Sequence, residues 1–154
     1  MREGVKYNMN VSWIMSKPLR DEEEVVRFEN MLEIVLPDDY KLCITNYNAG
    51  RPRPNVFDTA QRKELVAKAL LSFDQSNVEN IWDTFENVKN QLPKRIVPFM
   101  SDQFGNYICF DYRTSNEPAV VFWDHELSHQ NIEKGISYIA NSFSEFVEGL
   151  YELN

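Results

Sequence analysis

Between Arg95 and Trp123 the chain passes through three short runs rich in β-branched and aromatic residues: Arg95 to Met100, Tyr107 to Tyr112 and Ala119 to Trp123. Such residues fit the pleated, half-buried surface of a strand. Ser101-Asp102-Gln103-Phe104-Gly105-Asn106 and Thr114-Ser115-Asn116 separate the runs and have turn-forming composition. Loops this short cannot carry a crossover, so neighbouring strands must pair antiparallel. The stretch predicts a β-meander, with Gly105-Asn106 at a turn that needs positive φ.

The flanking sequence has a helical texture. Asp21 and Glu24 have capping-box spacing, and Val25, Phe28, Leu32 and Val35 follow as one apolar stripe. Leu36-Pro37 ends that helix, and a second is expected from Asp38 with Tyr40, Ile44 and Tyr47 inward. Asn48-Ala49-Gly50 closes it, with Gly50 as a left-handed cap. Arg51 to Pro54 is a break, and Val56-Phe57 starts a strand. Residues 64 to 73 are ambiguous, and propensity favours helix. A third helix is expected from Asn77 to about Asn90, presenting Val78, Ile81, Trp82, Phe85 and Val88. Ile136, Ile139, Ala140, Phe143, Phe146, Val147 and Leu150 read as one closing amphipathic helix. The fold class is therefore α+β: a single domain whose antiparallel sheet packs against N-terminal helices and a C-terminal amphipathic helix. The first 19 residues are weakly patterned and are read as an extension anchored by Trp13 and Ile14, with the domain over 20–154.

At 154 residues and 43% hydrophobic content, one domain can bury a core unaided. No apolar run is long enough to span a membrane, and Met1 to Asn10 lacks a signal-peptide apolar stretch. Cys43 and Cys109 sit far apart in apolar settings and read as buried free thiols, which fits a reducing compartment; the cytoplasm is the expected location. A net charge of −8 argues against direct nucleic-acid binding, where affinity comes from basic side chains on phosphates. The charge is uneven. Residues 20 to 39 carry eight acidic and two basic side chains, and residues 100 to 126 carry five acidic and one basic. Residues 40 to 68 reverse this, with six basic and two acidic. These runs are either solvated faces or an acidic surface that steers a basic protein.

The sequence holds candidate residues for several kinds of catalytic chemistry. His125-Glu126-Leu127-Ser128-His129 fits H-E-x-x-H, which on a helix sets two imidazoles on one face for zinc with a glutamate base. The preceding Val120 to Trp123 favours a strand, and the chain has only these two histidines. Neither cysteine has a setting that lowers its pKa, and no G-x-S-x-G elbow or clustered glycine loop exists. Asp111, Asp124 and Glu126 lie near predicted strand ends and could converge, although carboxylates there ordinarily cap turns.

In order and spacing, these features resemble the SUKH superfamily of cell-wall-assembly-regulator-like domains. Leu36-Pro37-Asp38-Asp39-Tyr40 resembles its L-P-x-D-Y element, and Asn48-Ala49-Gly50 its N-G-G close, with alanine where glycine is usual. Leu70-Leu71-Ser72-Phe73 resembles its L-x-F segment. Ile96-Val97-Pro98-Phe99 with Asp102, Gly105, Asn106 and Asp111 resembles its central I-P-F…D-x-x-G-N…D core. Val121 to Glu126 resembles its V-x-x-W-x-H-E strand end, and Ser142 to Phe146 its S-F-x-E-F helix. The resemblance runs from Asp21 to Leu150.

The resemblance implies a strand within 64 to 73 and structural roles for Pro98, Gly105, Asn106, Trp123 and His125. It also explains His125-Glu126 without zinc, so neither a metal nor a cofactor is expected. It implies a non-enzymatic immunity protein that binds a toxin domain, often a nuclease, as a stoichiometric antitoxin. The expected partner is a basic protein toxin, and the expected contact set is Asp102, Asp111, Asp124 and Glu126. The alternatives are a zinc hydrolase using His125, Glu126 and His129, and a regulatory scaffold of the cell-wall-regulator type.

Overall fold

A computed structural model describes residues 11–153. Residues 96–140 supply most of a five-stranded antiparallel sheet: β5 (Ala69–Leu70), β6 (Ile96–Ser101), β7 (Tyr107–Asp111), β8 (Ala119–Trp123) and β9 (Ile136–Ala140), in that spatial order. The expected meander is its centre. Tyr107 pairs with Trp123, and Asp111 with Ala119. Two small ribbons flank the sheet. β1 (Ser12–Ile14) pairs with β2 (Arg51–Arg53), and β3 (Val56–Phe57) with β4 (Leu65–Val66).

Helices α1 (Glu23–Leu32), α2 (Asp38–Tyr47), α3 (Ile81–Val88) and α5 (Phe143–Glu148) bury their apolar sides in the main core. There Phe99 stacks on Phe110 at 4.1 Å, and Tyr40 meets Phe99, Phe110 and Phe143 edge-on. A bulge between Pro98 and Met100 turns both Phe99 and Met100 inward. The opposite sheet face carries a smaller cluster of Leu92, Ile96, Cys109, Val121 and Trp123. It lies beside a 3₁₀ turn (Lys89–Gln91) and the short helix α4 (His125–Gln130), which Ser128 ties to Gln91 O at 2.8 Å. Each buried aromatic stabilises the fold by about 2–3 kcal/mol through apolar area alone.

Several expectations are corrected. The closing helix is two elements. Ile136 to Ala140 form β9, because its Ile-Ser-Tyr-Ile-Ala residues satisfy the edge of β8, which would otherwise present unpaired N–H and C=O groups. Only Phe143 to Glu148 are helical, capped by Ser142 Oγ on Glu145 N–H at 3.1 Å. The helix expected from Asp21 starts at Glu23, with Asp21 Oδ1 accepting the Glu23 N–H. It ends at Leu32, where Glu33 turns left-handed at φ 56°. Val35 therefore leaves the stripe and is 67% exposed, while Ile34 and Leu36 enter the core from an extended segment.

Tyr47 is exposed rather than inward, since α2 ends there. The left-handed residue of the next turn is Ala49, at φ 65°, not Gly50. Gly50 is small for a different reason: a Cβ there would lie 2.8 Å from Tyr47 O. The third helix begins at Ile81 under an Asn80 cap, so Val78 lies in the preceding loop, 96% exposed. Residues 64 to 73 contain β4 and β5, as the resemblance implied and propensity did not. Trp13 packs on the core and Ile14 is exposed; the rest of the expected extension, Met1 to Asn10, lies outside the described residues.

Candidate functional site

The end of the sheet where β7 starts and β8 finishes is built around Asp102. Its Oδ1 accepts N–H groups from Phe104 (2.8 Å) and Asn106 (2.9 Å), and its Oδ2 accepts the Asn106 side-chain amide at 3.0 Å. That last bond fixes the amide orientation, leaving Asn106 Oδ1 as an acceptor. It takes the His125 N–H at 3.0 Å and faces His125 Nδ1 at 2.7 Å. Nδ1 therefore carries a proton. Gly105 lies in the left-handed region at φ 85°, and a Cβ there would touch the imidazole at 3.4 Å. Trp123 is buried and stacks on Tyr107 at 6.0 Å. Pro98 sits within β6 opposite Cys109. Gly105, Asn106 and His125 thus hold one turn against one strand end, and Pro98 lies apart from it within β6.

Asp124 extends this frame. Its Oδ1 accepts the Glu126 and Leu127 N–H groups and caps α4, while Oδ2 meets Arg62 at 2.9 Å. His125 accordingly opens a helix, where a strand end was expected; the Asp124 cap overrides the β-rich run before it. The H-E-x-x-H residues thus have helical spacing. Even so, among the described residues no three His, Cys, Asp or Glu side chains come together to hold a metal ion. His125 Nδ1 is committed to Asn106, and His129 and Glu126 are exposed.

The four expected contact residues do not form one cluster. Asp102 and Asp124 are buried and occupied by backbone N–H groups, and Glu126 is exposed nearby. Asp111 is at the far end of β7, four residues from Tyr107 and so about 13 Å along the strand. It forms a two-pronged pair with Arg113, which also reaches Glu133 at 2.8 Å. Its hydrogen bonds push the Arg113 guanidinium further toward the charged form. The two cysteines are buried thiols, as expected; burial pushes Cys43 up to about 12 and raises Cys109 as well.

Sequence reasoning missed a surface at this far end. A groove of about 330 Å³ lies where the α1–α2 connection meets the β7–β8 loop and the start of α5. Its walls include Val35, Pro37, Pro118 and Phe143, and its acidic members are Asp38 and Glu117. The proline-linked acidic positions were visible one by one, but nothing in the sequence says that residues 35–38, 116–118 and 141–143 adjoin.

Comparison with known proteins adds three findings. A family model described as SMI1-KNR4 cell-wall matches residues 22–147, most of the chain. The SPbeta prophage-derived uncharacterized protein YokK of Bacillus subtilis (strain 168) is 38% identical over 82 residues. That match covers 53% of this chain but spans only 38% of the relative's length. A crystal structure of a protein from Pseudomonas syringae pv. tomato aligns with a TM-score of 0.48 and 15% identity, over 73% of each chain.

Proposed function

The chain belongs to the SMI1-KNR4 cell-wall family, of the SUKH superfamily, and on that premise we propose that it is an immunity protein that binds and neutralises a protein toxin. The observation that carries the reading is the family match over residues 22–147, taken with a net charge of −8. A nuclease toxin is basic where it meets phosphate, and an acidic inhibitor associates with such a surface quickly through long-range attraction. The action proposed is stoichiometric binding in the cytoplasm, without catalysis. The arrangement of His125 supports this: the one motif with catalytic spacing has its first imidazole tied into a turn.

Co-expression with a toxin domain encoded beside this chain's gene tests the reading. Growth should be restored, and the purified pair should migrate as a 1:1 complex whose association slows with added salt. Growth arrest that persists despite soluble, folded chain rejects it.

A further inference from the structure

We propose that the groove between Val35, Asp38 and Glu117 is a docking site for an arginine or lysine side chain, flanked by an apolar residue, on a protein partner. The inference rests on the immunity reading and adds to it the place and chemistry of the contact.

The apolar wall is built rather than frayed. Ile34 and Leu36 point into the core, so the extended backbone between them directs Val35 outward, 67% exposed. The buried Tyr112 hydroxyl donates to Val35 O at 2.8 Å and fixes that backbone. Pro37 and Pro118 stiffen the two chain segments that meet here.

The charge is built too. Asp38 and Glu117 are exposed, and among the described residues neither is paired with a lysine or arginine. Three of the other carboxylates have cations of the protein's own: Asp111 has Arg113, Asp124 has Arg62 and Glu29 has Lys41. The start of α2 would by itself favour an anion, but Asp38 and Asp39 already stand in its first turn. Asp39 is occupied by Ser144, which donates both its N–H and its hydroxyl. What remains is a small apolar trough edged by two carboxylates. An aliphatic stem with a cationic head satisfies both parts at once. At about 330 Å³ the groove is at the bottom of the range for small-molecule pockets and has room for a cationic side chain together with an apolar neighbour.

The test titrates the ¹⁵N-labelled full chain with the peptide acetyl-Leu-Arg-Leu-Arg-Leu-amide, and separately with its glutamine analogue. Saturable shifts should appear at Val35, Asp38, Glu117 and Asn141 with the arginine peptide only. The double variant Asp38→Asn/Glu117→Gln should weaken binding about fivefold to tenfold. Val35→Ser should weaken it as well, while Glu64→Gln, at an exposed site on another part of the surface, leaves it unchanged. The proposal is overturned by shifts centred elsewhere, equal response to the glutamine peptide, no saturation at millimolar peptide, or binding unaltered in the double variant. Growth rescue without peptide binding rejects this groove alone, whereas peptide binding without growth rescue rejects the immunity reading alone.

Discussion

At the end of the sheet where Trp123 leads into α4, two carboxylates face inward. Asp102 gathers the turn from Phe104 to Asn106, and Asp124 starts a helix. At the other end, beside Ala119, carboxylates of the same chemistry face outward, with Asp38 and Glu117 edging an apolar groove. The difference is one of burial and hydrogen-bond occupancy, not of composition. A carboxylate that accepts three donors inside the protein has little left to offer a partner, and removing it breaks the turn it organises. A carboxylate in water costs nothing to keep and is available for binding.

Four experiments press on this contrast. The largest effect should come from Asp102→Ala, which strands the Phe104 and Asn106 N–H groups and should cost about 2–4 kcal/mol in urea denaturation. A loss under 1 kcal/mol would make the closed end as dispensable as the open one. Raising the pH tests the core that both ends share. Cys43 titrates near 9 when unfolded and is pushed to about 12 by burial in the folded chain. The stability this gives is complete below pH 9 and is lost as the pH climbs toward 12, because the unfolded thiol releases its proton first. Cys43 alone should lower the unfolding free energy by about 2 kcal/mol between about pH 8 and 10.5, with Cys109 adding to the fall and amide exchange rising at both ends together.

Gly105→Ala should cost about 1–2 kcal/mol from its left-handed φ and displace the His125 ring resonances. A neutral outcome would mean that the turn can relax. The smallest effect belongs to the open end. Asp38→Asn/Glu117→Gln should change stability by no more than about 0.5 kcal/mol. A larger loss would show those carboxylates to be structural after all.

Much of the fold was legible because local and long-range signals agree. Between Ile96 and Trp123, β-forming runs and Gly105-Asn106 specify the same meander that the register shows. Legibility failed where one pattern served two structures. The three- and four-residue spacing of Ile136, Ile139 and Ala140 fits a helix, yet the open edge of β8 claims that segment as a strand. Glu33 and Ala49 turn left-handed without the glycine that would have signalled it. Asp38 and Asp102 look alike in sequence; only the turn around Asp102 determines which one is spent. The groove joins three segments up to about a hundred residues apart, which no local pattern records.

β9 also bears on how the chain emerges from the ribosome. On its outer side Tyr138 O accepts the Ala60 N–H at 2.8 Å, while its inner side completes β8. During synthesis, β6 to β8 are finished before residues 136–140 appear, so the nascent sheet carries a bare hydrogen-bonding strand. That interval is when strand-to-strand misassembly between neighbouring nascent chains is easiest and when a chaperone has most to protect. Once β9 docks, the edge of β8 is paired and no longer serves as a template for another strand.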